Sequence, residues 1–233
     1  MVIGNGLVAR MLEKFDVNDH ILIFASGVSN SGENSDTEYK RESDLLLSKR
    51  GTKARLVYFS TCSMFDPTLQ EGKYVKHKRA MEEMIASEFH SHLILRLPLL
   101  ISNAPNPYTF FNFMSQRIRQ GTPIPVHSNA WRYLMDASDL SFWIPILIKR
   151  SVAERQTINM AYDNAAKVTH IISLMEEIVG VKANKELVER GSYYDFDRTD
   201  FRGLIKEVGF PFDPETYNLQ ILRKYLELER EGW

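Results

Sequence analysis

Val2-Ile3-Gly4-Asn5-Gly6-Leu7-Val8-Ala9 opens the chain with an apolar pair, a glycine turn and the first residues of a helical pattern. Its spacing is G-x-G-x-x-A. Between a strand and a helix, such glycines allow a tight turn and let backbone approach a pyrophosphate at the helix N-terminus. An ordinary tight turn would have the same spacing, so the reading depends on the strands and helices downstream. Short apolar runs predict strands at Met1–Ile3, His20–Ala25, Arg55–Phe59 and Leu93–Leu97, as a sheet covered on both faces requires. Helical patterns alternate with them at Leu7–Phe15, Thr37–Lys49, Lys73–Ala86 and Tyr108–Gln120. Ser35-Asp36-Thr37-Glu38 reads as a capping box and Gly121 as a C-cap. This alternation predicts right-handed crossovers and a parallel α/β sheet with ligands beyond the strands' carboxyl ends. Gly4, Ser26, Thr61 and Pro98 all fall at such ends.

The chemistry is concentrated in Tyr74-Val75-Lys76-His77-Lys78, with the hydroxyl-rich strand end Phe59-Ser60-Thr61-Cys62-Ser63 before it. Positions i and i+4 share a helix face, so Tyr74 and Lys78 can enter one site. A free tyrosine, with a pKa of about 10, is a poor acid or base at neutral pH. Lowering it by about 2–3 units takes roughly 3–4 kcal/mol. A unit charge ~4 Å away supplies about that at an effective dielectric of ~20. A Thr61 hydroxyl could hold a substrate oxygen beside the phenol. These parts suffice to move a proton on or off an alcohol while a hydride leaves or arrives. A solvated lysine beside a half-buried tyrosine is the plain alternative for an isolated match.

The chain has 233 residues, 44% hydrophobic and 25% charged, with a net charge of −1. That suits one domain, or a sheet domain with a small lobe, and argues against bulk binding to nucleic acid or anionic membranes. Cys62 is the sole cysteine, which excludes an intramolecular disulfide and a cysteine-based zinc cluster. The N-terminus lacks the features of a signal peptide, and no apolar run approaches the ~20 residues of a membrane span. A cytoplasmic location is expected by default. His90 and His92 form an H-x-H pair with no third ligand at a diagnostic spacing, so no metal is expected. His77 is expected to face solvent. Arg190–Arg202 reads as a surface loop or a substrate lid, and Ser29–Ser35 as a loop. Helices are also expected at Ser138–Lys149, with Pro145 inside, and at Thr169–Val179 and Glu215–Arg230.

In this order the motifs resemble the extended short-chain dehydrogenase/reductases, in particular the NAD-dependent epimerase/dehydratase group acting on nucleotide sugars. Ile21–Ser29 resembles that family's fourth strand and its cofactor-facing turn. Leu56–Asp66 resembles the fifth strand, most closely the S-T-D-Y-V-F-D run of dTDP-4-dehydrorhamnose reductases. Leu93–Pro98 resembles the sixth strand, beside the nicotinamide. Trp131–Leu140 resembles R-x-x-x-x-V-x-D followed by an apolar residue, whose arginine meets the sugar nucleotide's diphosphate. The resemblance implies a Rossmann-like sheet with helices on both faces and a small C-terminal substrate lobe. The cofactor part would span about 1–102. The substrate part would span about 103–233, with elements returning to the core.

Residue by residue, the resemblance makes Thr61 the catalytic hydroxyl, Tyr74 the acid/base and Lys78 its partner. NAD or NADP would lie against Gly4, Asn5, Gly6, Leu7, Ala25, Ser26, Gly27, Ser60, Tyr74, Lys78, Leu97 and Pro98. A nucleotide-diphosphate sugar would meet Ser63, Asn112 and Arg132, and by position alone Asn106 and Tyr108 also fall near its pocket. A homodimer is compatible with the resemblance.

Three departures narrow this reading. Only one helix fits between Gly4 and Ile21, where the family has a further strand, helix and strand carrying the reader of the adenosine ribose. Asp16 and Asp19 stand near the right distance but follow a helix. The loop Met64–Lys73 is shorter than usual. Leu99 and Ser102 replace the usual polar and glycine residues. Cys62 and Ser63 stand where nucleotide-sugar dehydratases place an Asp-Glu pair, so dehydration is disfavoured. Ketoreduction and epimerisation through a keto sugar remain, with a slight lean to reduction, as in deoxysugar or surface-polysaccharide synthesis. A non-catalytic sugar-nucleotide or dinucleotide binder derived from this family is the alternative.

Overall fold

A computed structural model describes residues 1–13, 19–150 and 153–230, with the side chains of 229 and 230 left out. In chain order the first elements are β1 (Val2–Ile3), α1 (Leu7–Met11), β2 (Ile21–Phe24), α2 (Asp36–Leu47), β3 (Arg55–Thr61), α3 (Lys73–Glu88) and β4 (His92–Leu97). They continue with β5 (Leu99–Ile101), α4 (Phe110–Gln120), β6 (Ile124–His127), β7 (Trp131–Arg132), β8 (Leu134–Asp136), α5 (Asp139–Arg150) and β9 (Arg155–Asn159). The last are β10 (Ala166–Lys167), α6 (Val168–Val179), β11 (Lys185–Val188), α7 (Thr199–Val208) and α8 (Tyr217–Arg230). The predicted first helix extended to Phe15. Its final residues and Asp16 lie outside the described residues.

The chain divides into two compact units. The first comprises Met1–Met64, Leu69–Leu97 and Ala137–Met160. Its sheet runs β1-β2-β3-β4-β9, every pair parallel, in registers such as Ile3↔Phe24, Phe24↔Tyr58, Tyr58↔Ile94 and Ile94↔Thr157. Alternate residues point to opposite faces. Leu22, Phe24, Leu56, Tyr58 and Ile94 cluster on one face with Leu46 of α2 and Met81 and Ile85 of α3. Ile23, Val57, Leu93 and Leu95 on the other face are equally buried. Burial on both faces explains why these strands read as continuous apolar runs rather than alternating ones. α1 and α5 pack together in the same unit, with Ser141 donating to the Met11 carbonyl at 2.8 Å.

Two local expectations need correction. Ser35 is the N-cap of α2 but makes no side-chain cap. Glu33 holds the chain leading into the helix, its Oε1 accepting from the Ser35 and Asn34 amides at 2.8 Å each, while Glu38 pairs with Arg41. The polar stretch from Arg190 is neither a loose surface loop nor wholly a loop. Tyr194 and Arg198 are buried, and α7 begins at Thr199. Arg198 bonds Asp195 and Asp163 and lies over the Tyr133 ring, so its polarity is consumed inside the fold.

The second unit comprises Phe65–Thr68, Pro98–Asp136 and Ala161–Trp233. Three two-stranded sheets, β5-β8, β6-β11 and β7-β10, accompany packed α4, α6 and α8. The C-cap glycines of α4 and α6, Gly121 and Gly180, are left-handed at φ +66° and +77°.

Candidate active site

β3 ends at Thr61, and a 3₁₀ turn over Cys62–Phe65 folds back on it, the Ser63 amide donating to Thr61 Oγ1 at 3.1 Å. Gly72 then starts α3, which places Tyr74 and Lys78 one turn apart. The half-buried Tyr74 phenol lies beside the Thr61 hydroxyl. Burial pushes the phenol above the ordinary tyrosine range. The neighbouring Thr61 hydroxyl opposes that rise and the Glu42 carboxylate adds to it. Ser60, on the other face of β3, is buried with no hydrogen-bond partner for its Oγ. Cys62 donates its thiol to the Arg96 carbonyl at 3.2 Å.

Lys78 does not face open solvent. Its ammonium lies 6.0 Å from the centre of the Tyr74 ring and donates to the Tyr58 hydroxyl and to Glu42 Oε1, both at 3.0 Å. Glu42 is fully buried, and four groups meet its carboxylate. Tyr58 OH (2.6 Å) and Lys78 share Oε1, while the Val28 amide (2.6 Å) and His77 Nε2 (3.0 Å) share Oε2. Because a carboxylate only accepts, Nε2 of His77 carries the proton in this contact. Burial alone would raise the Glu42 pKa. The His77 bond, the Lys78 charge and the Tyr58 and Val28 bonds outweigh it and hold the group at about 2. Burial draws Lys78 below the ordinary lysine range against the pull of Glu42. His77, expected in solvent, is instead nearly buried and packs on Tyr39 with ring centres 4.6 Å apart.

Sequence reasoning missed Glu42, Tyr58 and His77. One signal was available: Tyr39, Glu42 and Leu46 form the buried stripe of α2, so an acid stands where the helical period calls for an apolar residue.

The glycine turn is built around Gly4. Its φ is +130°, and an added Cβ would lie 2.3 Å from the Ala25 carbonyl oxygen. At Gly6 an added Cβ would meet nothing within 4 Å. Gly27 is confined by the site itself, since its Cβ would lie 2.8 Å from Lys78 Nζ and 2.9 Å from Glu42 Oε1. Ser26 receives Arg41 on both its hydroxyl and its carbonyl at 3.2 Å.

Thr61, Tyr74, Lys78, Ser60, Ser63 and the residues from Gly4 to Leu7 and Ala25 to Gly27 belong to the first unit, as does Leu97. Pro98, Asn112 and Arg132 belong to the second. There Arg132 pairs with the buried Asp66 at 3.0 Å. Asn112 donates to the Ala104 and Asn106 carbonyls, and its Oδ1 is buried without a partner. It lines a hollow together with Asn106, Ser115, Gln116 and Arg119. Tyr108 is largely exposed. His90 is exposed against Glu154, whereas His92 is buried on the Phe89 carbonyl. Among the described residues no three His, Cys, Asp or Glu side chains form a metal-ligating group, and no helix is long and apolar enough to cross a membrane.

No protein-family model and no curated protein matches the chain. Solved structures do. UDP-glucose 4-epimerase of Thermus thermophilus, in complex with NAD, superposes with a TM-score of 0.70 at 12% identity, covering 97% of this chain and 82% of that one. UDP-glucuronic acid 4-epimerase of Bacillus cereus, with UDP-glucuronic acid and NAD, gives 0.69 at 15%, covering 97% and 79%. dTDP-glucose 4,6-dehydratase of Bacillus anthracis str. Ames, with NAD, gives 0.68 at 13%, covering 97% and 76%. The chain shares their Rossmann-like fold in a shorter form.

Proposed function

We propose that this chain is an NAD(P)-dependent oxidoreductase acting on a nucleoside-diphosphate sugar, either as a ketoreductase or as an epimerase working through a keto sugar. The observation that supports it most is the Tyr74 phenol beside the Thr61 hydroxyl, one helical turn from the buried Lys78. The enzymes sharing the fold are described with NAD and UDP-sugars, which agrees with this reading.

The glycine turn fits a dinucleotide. The space beside Gly6 is open, and Gly6, the N-cap of α1, brings no side chain to cap the helix amides. Gly4, Asn5, Gly6 and Leu7 would hold the pyrophosphate. Ala25, Ser26, Gly27, Ser60, Leu97 and Pro98 would line the cofactor further along. When bound, the nicotinamide supplies or takes up the hydride. Thr61 then holds the reacting sugar oxygen, and Tyr74 gives it a proton or removes one. Lys78 stands against the phenol ring, its charge paired with Glu42. Ser63, Asn112 and Arg132 are proposed for the sugar nucleotide, with Arg132 exchanging part of its Asp66 pairing for the diphosphate.

A thermal-shift panel of NAD, NADP, UDP and dTDP, followed by turnover with keto-sugar nucleotides, tests the reading. Tyr74→Phe should lose turnover by at least about a hundredfold, within the range of general acid–base catalysis, while folding and ligand binding stay intact. Lys78→Met should fail similarly and lose some cofactor affinity. Wild-type turnover in Tyr74→Phe would sink the mechanism. Binding without turnover in the wild type would leave a non-catalytic binder.

A further inference from the structure

The ion pair of Glu42 with Lys78 differs in kind from the other buried acids. Asp136 and Glu176 are anchored by lysines that reach water: Lys224 is 45% exposed, Lys185 30% and Lys182 89%. Asp66 is met by Arg132, which keeps 20% exposure. In the Glu42 pair both partners are shut in, at 0% and 3%, and the cation is the lysine that shares a helix face with Tyr74. Glu42 also ties together the loop after β2 through Val28, β3 through Tyr58, and α3 through His77 and Lys78. Gly27 can sit against Glu42 and Lys78 only because it lacks a side chain.

We propose that Glu42 is a positioning residue of this site: its buried carboxylate closes an ion pair on Lys78 and commits Tyr74 to donating a proton, which is the role required for reduction of a ketone. This rests on the oxidoreductase reading above and deepens it toward a reductase. A lysine already balanced by a carboxylate gives little net field to stabilise a phenolate, and the carboxylate itself opposes one. An enzyme that begins by removing an alcohol proton needs the reverse. In the reductive step the carbonyl carbon accepts a hydride from a reduced nicotinamide and the carbonyl oxygen takes the phenolic proton of Tyr74. The phenolate then regains a proton from solvent.

The groups facing Tyr74 and Lys78 are Tyr39 and Glu42 from α2, Tyr58, Thr61 and Cys62 from β3 and the turn after it, and His77 and Glu82 from α3. Glu82 is engaged by Arg96 of β4 at 2.5 Å. Glu42 raises both the lysine and the tyrosine. Its loss therefore moves the alkaline side of the reaction the same way whichever group titrates first.

The test uses Glu42→Gln, Glu42→Asp and wild type with reduced NAD or NADP and a UDP-linked or dTDP-linked 4-keto hexose. In Glu42→Gln the alkaline limb of ketone reduction should move down by about one unit or more, the size of effect a charge at such range produces. Glu42→Asp, which keeps the charge, should lie nearer wild type. In parallel, the ¹³C shifts of Lys78 Cε and Tyr74 Cζ in the unliganded protein should show the first deprotonation at lower pH in Glu42→Gln. A merely structural glutamate would lower stability or rate without moving either curve. If Glu42→Gln fails to fold, Tyr58→Phe, which removes the hydroxyl between Glu42 and Lys78, should move both curves in the same direction by less. Unmoved curves with an inactive Tyr74→Phe overturn this inference and leave the oxidoreductase reading standing. Shifted ¹³C curves with no keto-sugar turnover in the wild type support the ion-pair role and overturn the reductase assignment.

Discussion

The two glycines of the opening turn look alike in sequence and do different work. At Gly4 the protein itself excludes a Cβ, through both φ and the Ala25 carbonyl, whereas at Gly6 the limit would come from a bound pyrophosphate. Gly4→Ala should therefore destabilise the fold by about 2 kcal/mol or more, since strain at positive φ and a backbone clash add. Gly6→Val should leave urea unfolding nearly unchanged and weaken dinucleotide binding far more than sugar-nucleotide binding. Equal loss for both ligands in a folded variant would make the turn purely structural. That Thr61 ends a strand and that Tyr74 and Lys78 share one helix was legible, because strand and helix periods fix those placements. Glu42 was not, because a glutamate in a polar-looking helix reads as solvated until the strand opposite supplies Tyr58 and the next helix supplies His77 and Lys78.

The sheet strands were legible as elements because burial on both faces leaves only apolar residues, so β2, β3 and β4 match their apolar runs to within a residue or two. Helix ends that depend on a backbone conformation were also legible. Gly121 adopts the left-handed cap that its position implied. Gly121→Ala should cost about 1 kcal/mol, read as a lowered urea midpoint at unchanged slope, because alanine pays the left-handed penalty that glycine avoids. Caps that depend on side-chain rotamers were less legible: a capping box was expected at Ser35, and α2 has no side-chain cap, Glu33 meeting only the Asn34 and Ser35 amides ahead of it. α7 was not read as a helix at all, because Arg198, Asp200 and Arg202 dominate the composition where it starts. The contacts that bury Arg198 come from Asp163 and Tyr133, far off in sequence.

At the scale of the whole chain, the sheet ends abruptly. Among the described residues β1 pairs with β2 alone, and no strand lies on its outer side. In dinucleotide folds the neighbouring strand carries the carboxylate that grips the ribose diol or lies near the arginine that meets a 2′-phosphate. We therefore expect NAD and NADP affinities within about tenfold of each other, ~1.4 kcal/mol. Fluorescence titration of both reduced cofactors measures this, and a preference beyond about a hundredfold would show that another part of the chain reads the ribose. The parallel character of the sheet was legible from the alternation, but its fifth strand, β9, was not read as a strand, because Arg155-Gln156-Thr157-Ile158-Asn159 is largely polar. The pairings β5-β8, β6-β11 and β7-β10 were not legible, because two- to four-residue ladders leave no periodic trace. Cys62 gives the first unit a built-in clock. It is the sole thiol, sealed at the junction of β3 and β4 with its hydrogen on the Arg96 carbonyl. An alkylating reagent can reach it only after those central strands part, so one modification per molecule, timed against denaturant, reports how often the sheet opens beside Thr61.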